Sequence, residues 1–369
     1  MILGLFTELL APGGVQRVGR HTFAVLTALA REQGLSCRLL SLNDPSGRHE
    51  LRVGDLAVTF QGFGRRKARF VLAVLAEAPR VRLAHIGHPN LAPLGLLVKL
   101  LRPSARYSVA AHGFEVWESL PLVRRLGLRL AHVVTAPSQF TREKMVAVQK
   151  LNPEKTRVLP WALDAGFLRM DGTTALPKPR LPSGKLLLTV ARLAASERQK
   201  GMDAVIRTLP RVLEVVRDTY YLIVGDGDDR LRLQHLAEEE GVADRVLFAG
   251  TRSDDELASY YDACDIFVMP SRQEGFGVVF LEAMAFGKPV IGGKHGGTPE
   301  VVIDGVTGFL VQHGDVEGLA FRLIQLLRDP ELCNRMGAAG RRLVEENYTF
   351  EHFRRGLVQP LTGGNGCEF

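Results

Sequence analysis

The stretch Ser271-Arg272-Gln273-Glu274-Gly275-Phe276-Gly277-Val278-Val279-Phe280-Leu281-Glu282-Ala283 holds two carboxylates, Glu274 and Glu282, with seven residues between them. A Gly-aromatic-Gly turn lies between the two and leads into an apolar, helix-forming run. Glycine lacks a Cβ, so backbone amides of such a turn can approach a ligand closely. The first amides of the following helix have no intrahelical partner and stand at the positive end of its dipole, which favours an anion. The turn residues Phe276, Gly277 and Val278 are therefore candidate phosphate contacts. Glu282 falls in the first or second turn of the helix, from where its carboxylate can accept hydrogen bonds from paired hydroxyls, as on a ribose. Glu274, on the loop, can do the same for a second polyol. A phosphate cradle between two hydroxyl-binding carboxylates describes a site for a nucleotide-sugar. The alternative is a loop–helix junction with two solvated glutamates.

Outward from this stretch, short apolar and β-branched runs alternate with helical patterns along the whole chain, which implies parallel sheets wrapped by helices. In the first half the clearest strands are 2–6, 83–86, 107–111, 133–136 and 156–159, with a helix over 15–32. In the second half they are 186–190, 220–224, 246–248, 266–268 and 290–292, with a helix over 202–216. Pro and Gly density between the halves marks an interdomain linker. The expected organisation is a first Rossmann-like domain over 1–168, a linker over 169–184, a second Rossmann-like domain over 185–345, and a C-terminal helix and tail over 346–369 that packs back on the first domain. Doubly wound domains bind ligands at the carboxyl ends of their strands.

Length and composition agree with two soluble α/β domains: 369 residues, 46% hydrophobic and 24% charged. Cys37, Cys264, Cys333 and Cys367 are far apart, which argues against a zinc site or a disulfide framework and fits a reducing cytoplasm. The apolar start lacks a basic leader and reads as a first buried strand. No run reaches the ~18 apolar residues of a membrane span. The net charge of +7 is unevenly spread: residues 1–170 carry 24 Lys+Arg against 11 Asp+Glu. Clusters at Arg65-Arg66-Lys67-Arg69 and Arg124-Arg125-Arg129, the second on a leucine-rich background, read either as a solvated surface or as attraction to an anionic membrane surface, with a peripheral location on its cytoplasmic face. Nucleic acid is disfavoured, because no aromatic–basic interleaving accompanies the charge.

Other residues at predicted strand ends carry candidate chemistry. Arg192 follows strand 186–190, and Lys200-Gly201 opens helix 202–216. Both cations fall where a diphosphate would lie, and fixed cations there stabilise a departing phosphate. Gly13-Gly14 make a tight strand-to-helix turn whose amides can face substrate, with Arg17 shortly after. His112 follows strand 107–111 beside Gly113, and Glu115 is a candidate acceptor-side carboxylate. His85 and His88 are read as structural, and Ser138 as a helix N-cap. Gly225-Asp226-Gly227-Asp228-Asp229 lacks the third glycine of a dinucleotide fingerprint.

The segment 271–283, with Ala283-Met284-Ala285-Phe286-Gly287-Lys288-Pro289 behind it, resembles the Glu-x7-Glu signature of retaining glycosyltransferases of the GT-B fold, family 4. Arg192 with Lys200-Gly201, Gly13-Gly14 and Gly296-Gly297-Thr298-Pro299-Glu300 are similar to further elements of that family. The resemblance covers nearly all of the second domain and is weaker over the first. It implies two doubly wound Rossmann-like domains facing across a cleft, which closes to exclude water. It implies transfer of a hexose-type sugar, with retention, from a nucleotide-diphosphate sugar to a saccharide or lipid-linked acceptor in cell-envelope polysaccharide or glycolipid synthesis. Arg192 and Lys200 would take the diphosphate, Glu274 the donor sugar, Glu282 the ribose, His112 the transferred sugar, and Gly14 and Gly225 the donor pocket. Gly13, Arg17 and Glu115 would face the acceptor. The Asp-x-Asp within 226–228 resembles a pocket-shaping turn, so neither an essential metal nor a cofactor is expected. Where the family often has Pro-Asn-Gly-Val-Asp, this chain has Pro160-Trp161-Ala162-Leu163-Asp164, so the local pocket cannot be copied from relatives. The alternatives are a non-catalytic nucleotide-sugar-binding subunit and a nucleotide-sugar 2-epimerase of the same fold.

Overall fold

The computed structural model describes residues 1–54, 56–163, 167 and 179–362. The chain divides into two compact units, Met1–Ala162 with Phe350–Phe369, and Leu163–Thr349. The first ten residues of the expected linker, and Asp164, lie outside the described residues, as does the tail beyond Thr362.

The first unit runs β1 (Ile2–Phe6), α1 (Gly14–Glu32), β2 (Cys37–Ser41), β3 (Gly47–Val53), β4 (Leu56–Gly62), α2 (Lys67–Glu77), β5 (Leu83–Ile86), α3 (Ala92–Leu101), β6 (Arg106–Ala110), α4 (Leu122–Arg129), β7 (Val133–Ala136), α5 (Gln139–Gln149) and β8 (Thr156–Val158). Its eight-stranded sheet has the order β3-β4-β2-β1-β5-β6-β7-β8. All pairings are parallel except β3 with β4. β2, β3 and β4 were not among the predicted strands. β3 is an edge strand whose residues alternate between half-buried and exposed, so Arg48-His49-Glu50-Leu51-Arg52 reads in sequence as polar surface. Such charge on an edge discourages pairing with other chains.

The second unit runs β9 (Lys185–Val190), α6 (Met202–Val215), β10 (Thr219–Val224), α7 (Arg230–Glu239), β11 (Val246–Gly250), α8 (Asp254–Ala263), β12 (Ile266–Met269), α9 (Val278–Ala285), β13 (Val290–Gly293), α10 (Thr298–Val301), β14 (Gly308–Val311), α11 (Val316–Arg328) and α12 (Pro330–Asn347). Its six parallel strands take the order β11-β10-β9-β12-β13-β14. This is the doubly wound order in which the first strand stands at the centre, and its switch point lies between β9 and β12. The corresponding switch point of the first sheet lies between β1 and β5.

The last helix, α13 (Phe350–Thr362), belongs to the first unit and packs along α1. The His21 ring stands 5.5 Å from Phe350 and 6.0 Å from Phe353. β1 shows why both faces of this sheet need cover. Leu3 and Leu5 enter the core beneath α2 to α5, whereas Ile2 and Phe6 enter the core beneath α1 and α13. Successive strand side chains point to opposite faces, so a fully apolar strand requires a helical layer on each.

Candidate functional site

In the second unit, the loops after β9, β12 and β13 meet at the carboxyl ends of the strands beside the switch point. Backbone bonds tie them together. Arg272 N–H donates to the Gln199 carbonyl at 2.7 Å, and Gly297 N–H to the Glu274 carbonyl at 2.7 Å. Two glycines make the approach possible. Gly201 sits at φ +80°, and a Cβ there would lie 2.7 Å from the Pro270 carbonyl oxygen. Gly296 sits at φ +70°, and a Cβ there would lie 2.4 Å from the Glu274 carbonyl oxygen. Any larger residue at these positions is both strained and in collision.

This framework brings Lys200 within electrostatic reach of Glu274. The Lys200 side chain is 20% exposed. Burial lowers its pKa, Glu274 opposes that shift, and Arg192 adds to it. The half-buried Glu274 carboxyl moves up because of burial, against the pull of Lys200 and of the Gly275 and Phe276 amides. Gly275 N–H donates to Glu274 Oε1 at 3.2 Å. Arg192 is far more open, at 72%. A carboxylate to which the sequence reading gave no role, Glu197, joins the two cations. One of its oxygens pairs with Arg192 and the other lies 2.9 Å from Lys200 Nζ.

Gly277 is the N-cap of α9 and Val278 its first residue, so the first-turn amides of this helix start beside Glu274. The Phe276 side chain is turned into the core against Tyr348, ring centroids 5.9 Å apart. Its backbone amide bonds the Glu274 carboxylate. Glu282 is only 2% exposed, and Tyr261 Oη donates to its Oε2 at 2.6 Å. Tyr261 in turn stacks on Phe286. Among the described residues, Ser271 Oγ and Thr298 Oγ1 are buried without a hydrogen-bond partner at this same edge, which makes them further polar groups able to meet a ligand. Gly225 closes β10, its N–H bonded to the Gly250 carbonyl at 2.9 Å. The following carboxylates serve the loop. Asp226 pairs with Arg230, Asp228 Oδ1 accepts from the Ala195 amide, and the buried Asp229 accepts from Arg198 and Arg232.

In the first unit, Gly13 is the N-cap of α1, with Gly14 its first residue and Arg17 buried in its first turn. Two groups outside the sequence prediction hold the loop before it. Asp44 accepts from the Leu9 and Leu10 amides, and Arg20 donates to the Leu9 carbonyl. His112, after β6, is buried, and its Nε2 lies 2.7 Å from the Gly87 carbonyl oxygen. With Nε2–H donating there, Nδ1 is left as an acceptor, and among the described residues it is buried with no partner. Glu115 Oε1 accepts the His112 N–H at 2.6 Å, so this carboxylate also braces the loop. Trp161 and His88 flank the His112 ring at 5.8 and 5.6 Å. Burial, then His112, lowers the His88 pKa to about 4 and that of His85 to about 3. His85 Nδ1 lies 2.9 Å from Ser108 Oγ. Ser138 caps α5, accepting the Thr141 N–H at 3.1 Å.

Two doubly wound units, each carrying polar side chains at the strand ends beside its switch point, define the GT-B class. Solved structures agree on the fold. Sucrose-phosphate synthase from Thermosynechococcus elongatus superposes with a TM-score of 0.77 over 97% of both chains at 23% identity. Anabaena HepE in complex with UDP does so with a TM-score of 0.73 over 98% of this chain and 99% of that one, at 20% identity. Residues 13–167 match the family described as Glycosyltransferase Family 4, and residues 176–343 that described as Glycosyl transferases group 1. A GDP-mannose-dependent alpha-(1-6)-phosphatidylinositol monomannoside mannosyltransferase of Mycolicibacterium smegmatis is 35% identical over 285 residues, 74% of each chain. N-acetyl-alpha-D-glucosaminyl L-malate synthase of Bacillus anthracis is 29% identical over 288 residues, 76% of this chain and 74% of that one. The chain belongs to this family of GT-B glycosyltransferases, and it is a glycosyltransferase.

Proposed function

We propose that the protein moves a hexose-type sugar, with retention at the anomeric carbon, from a nucleotide-diphosphate sugar to a hydroxyl of a saccharide or lipid-linked acceptor. The observation that carries this reading is the meeting of Lys200, Arg192 and Glu274 with the N-terminus of α9 at one sheet edge. Cations and helix amides suit a diphosphate, and the carboxylate suits the hydroxyls of the attached sugar. The bond from the anomeric carbon to the diphosphate oxygen breaks as the acceptor oxygen bonds the same face of that carbon. The acceptor's proton passes to the departing phosphate. Arg192 and Lys200 stabilise the charge that builds there. No glutamate forms a covalent bond, and neither an essential metal nor a cofactor is required. The second unit takes the donor, with Glu282 as the ribose ligand once its carboxylate is opened to it. His112 Nδ1 accepts a hydroxyl of the transferred sugar, and the Gly13–Arg17 turn faces the acceptor.

The mycobacterial relatives favour GDP-mannose as the first donor to try and a glycolipid as the first acceptor. Helix α4 leaves Leu122, Val123 and Leu126 exposed beside Arg124 and Arg125, and the neighbouring α3 leaves Leu100 and Leu101 exposed. That combination suits an anionic membrane surface holding such an acceptor, in cell-envelope glycolipid or polysaccharide synthesis at the cytoplasmic face. Among the described residues, no helix is long and apolar enough to cross a membrane.

A panel of GDP, UDP, ADP and TDP, scored by thermal shift without metal and then with it, tests the donor reading. A ligand at 100 times its Kd stabilises the protein by about 2.7 kcal/mol. One diphosphate should stand out without metal. No shift with any of the four contradicts the reading.

A further inference from the structure

We propose that Glu197 is the internal counter-ion of the donor site. It holds Arg192 and Lys200 together when no diphosphate is present, and it is displaced from the pair when one arrives. The inference rests on the reading of these cations as the diphosphate ligands.

The carboxylate spends its two oxygens on two different cations, Oε1 on Arg192 and Oε2 on Lys200. It thereby occupies the cations as one phosphate group would, since each phosphate also presents a pair of oxygens to neighbouring donors. Without it, two like charges would stand side by side, one of them largely buried. Arg192 already disfavours the charged form of Lys200. Glu197 lies in the 3-10 segment Ala195–Lys200 and is its one non-helical residue, at φ −119°, ψ 22°.

The backbone around Glu197 is pinned. The Ala195 amide donates to Asp228 Oδ1 at 2.8 Å, Glu197 N–H to the Ala194 carbonyl at 2.8 Å, and Arg272 N–H to the Gln199 carbonyl at 2.7 Å. Arg198 Nε donates to Asp229 Oδ1 at 2.8 Å. Exchange of carboxylate for phosphate therefore needs only side-chain motion, and Arg192, most of whose side chain faces solvent, has room to make it. A diphosphate that reaches the cations meets Glu197 as a like charge at close range. Its affinity is set by the difference between the two anions, not by the cations alone. The consequence for turnover is that Glu197 limits how tightly the nucleoside diphosphate product is held, because it reclaims the cations as the product leaves.

The test is calorimetric titration of GDP and UDP into the wild-type enzyme, Glu197→Gln and Glu197→Asp, with melting temperatures measured in parallel. Glu197→Gln keeps the shape and removes the charge. Its Kd for the preferred diphosphate should fall by about tenfold, the size of one partly screened charge contact. Its kcat should fall while KM for the donor falls with it, since product release slows. Glu197→Asp should return both toward wild type, and the matching nucleoside alone should bind all three proteins equally weakly. If Glu197→Gln fails to fold, Glu197→Ala carries the same expectation. A folded Glu197→Gln that binds the diphosphate no more tightly than wild type overturns the proposal. A wild-type enzyme that binds neither diphosphate overturns instead the donor-site reading on which it rests.

Discussion

The two units share a doubly wound plan and build strand-end sites of different character. At the switch point of the second sheet the groups are charged: Arg192, Glu197, Lys200 and Glu274, held by backbone bonds that leave glycine alone at two crossings. At the corresponding edge of the first sheet the rings of His88, His112 and Trp161 stand together beside Glu115, and burial keeps His88 neutral well below its ordinary range. Fixed charge suits a ligand whose charge grows as its bond breaks. A neutral, partly aromatic surface suits hydroxyls and sugar faces. The comparison teaches that strand order alone does not decide what a sheet edge binds; the few loop residues at the edge do.

The sharpest way to break the comparison is at Lys200. Lys200→Ala should lower kcat by about a hundredfold, the typical cost of removing one preorganised contact to developing charge. The variant should still fold, and a steady-state assay with GDP-mannose would read both kcat and KM. Glu274→Ala should cost at least about tenfold in turnover by loss of the contact to donor hydroxyls, and a variant with full activity would remove Glu274 from the site.

The first unit answers to a different probe. Replacing Arg124 and Arg125 together by Glu should weaken sedimentation with anionic vesicles by about tenfold or more. High salt should do the same to the wild type, and equal binding to neutral vesicles would exclude the electrostatic part of the membrane reading.

The smallest expected effect concerns acid. His85 has a folded pKa near 3, against an ordinary value of about 6.5. The unfolded chain therefore takes up a proton that the folded chain refuses. Stability from this group is complete above about pH 6.5 and is lost as pH falls toward 3. The drop in melting temperature between pH 7.5 and pH 4.5 should be smaller in His85→Asn than in the wild type, and an equal drop would contradict the assignment.

The parts legible in sequence were those whose cause is local. β1 and β12 are continuous apolar runs, and Gly-Phe-Gly followed by an apolar helix announces the turn at 275–277 without reference to any other segment. Lys200-Gly201 was legible because it opens a predicted helix after a predicted strand and resembles the Lys-Gly element of the family. What stayed hidden depended on partners distant in sequence or space. Glu197, next to Arg198 and Ser196, reads as one more solvated charge, and its meaning comes from reaching Arg192 and Lys200 at once. Glu282 was read as a ribose ligand, and in the structure its carboxylate is buried and accepts from Tyr261 on a different helix. Phe276 was read for the backbone amides of its turn, and what the sequence did not show is that its ring anchors that turn against Tyr348. Of the β3–β4 hairpin, the edge strand β3 escaped notice because it carries charge in place of the apolar runs that mark central strands; β4, inside the sheet and uncharged, was missed although its apolar residues alternate.

The central claim is that the carboxyl edge of the second sheet is the nucleoside-diphosphate site. Calorimetric titration of GDP and UDP into the wild-type protein and Lys200→Ala, in the presence of a chelator, tests it most directly. The account predicts one saturable site in the wild type for one of the two nucleotides, with affinity lost in a folded Lys200→Ala protein. Equal affinity in the two proteins, or no binding of either nucleotide by the wild type, would contradict it.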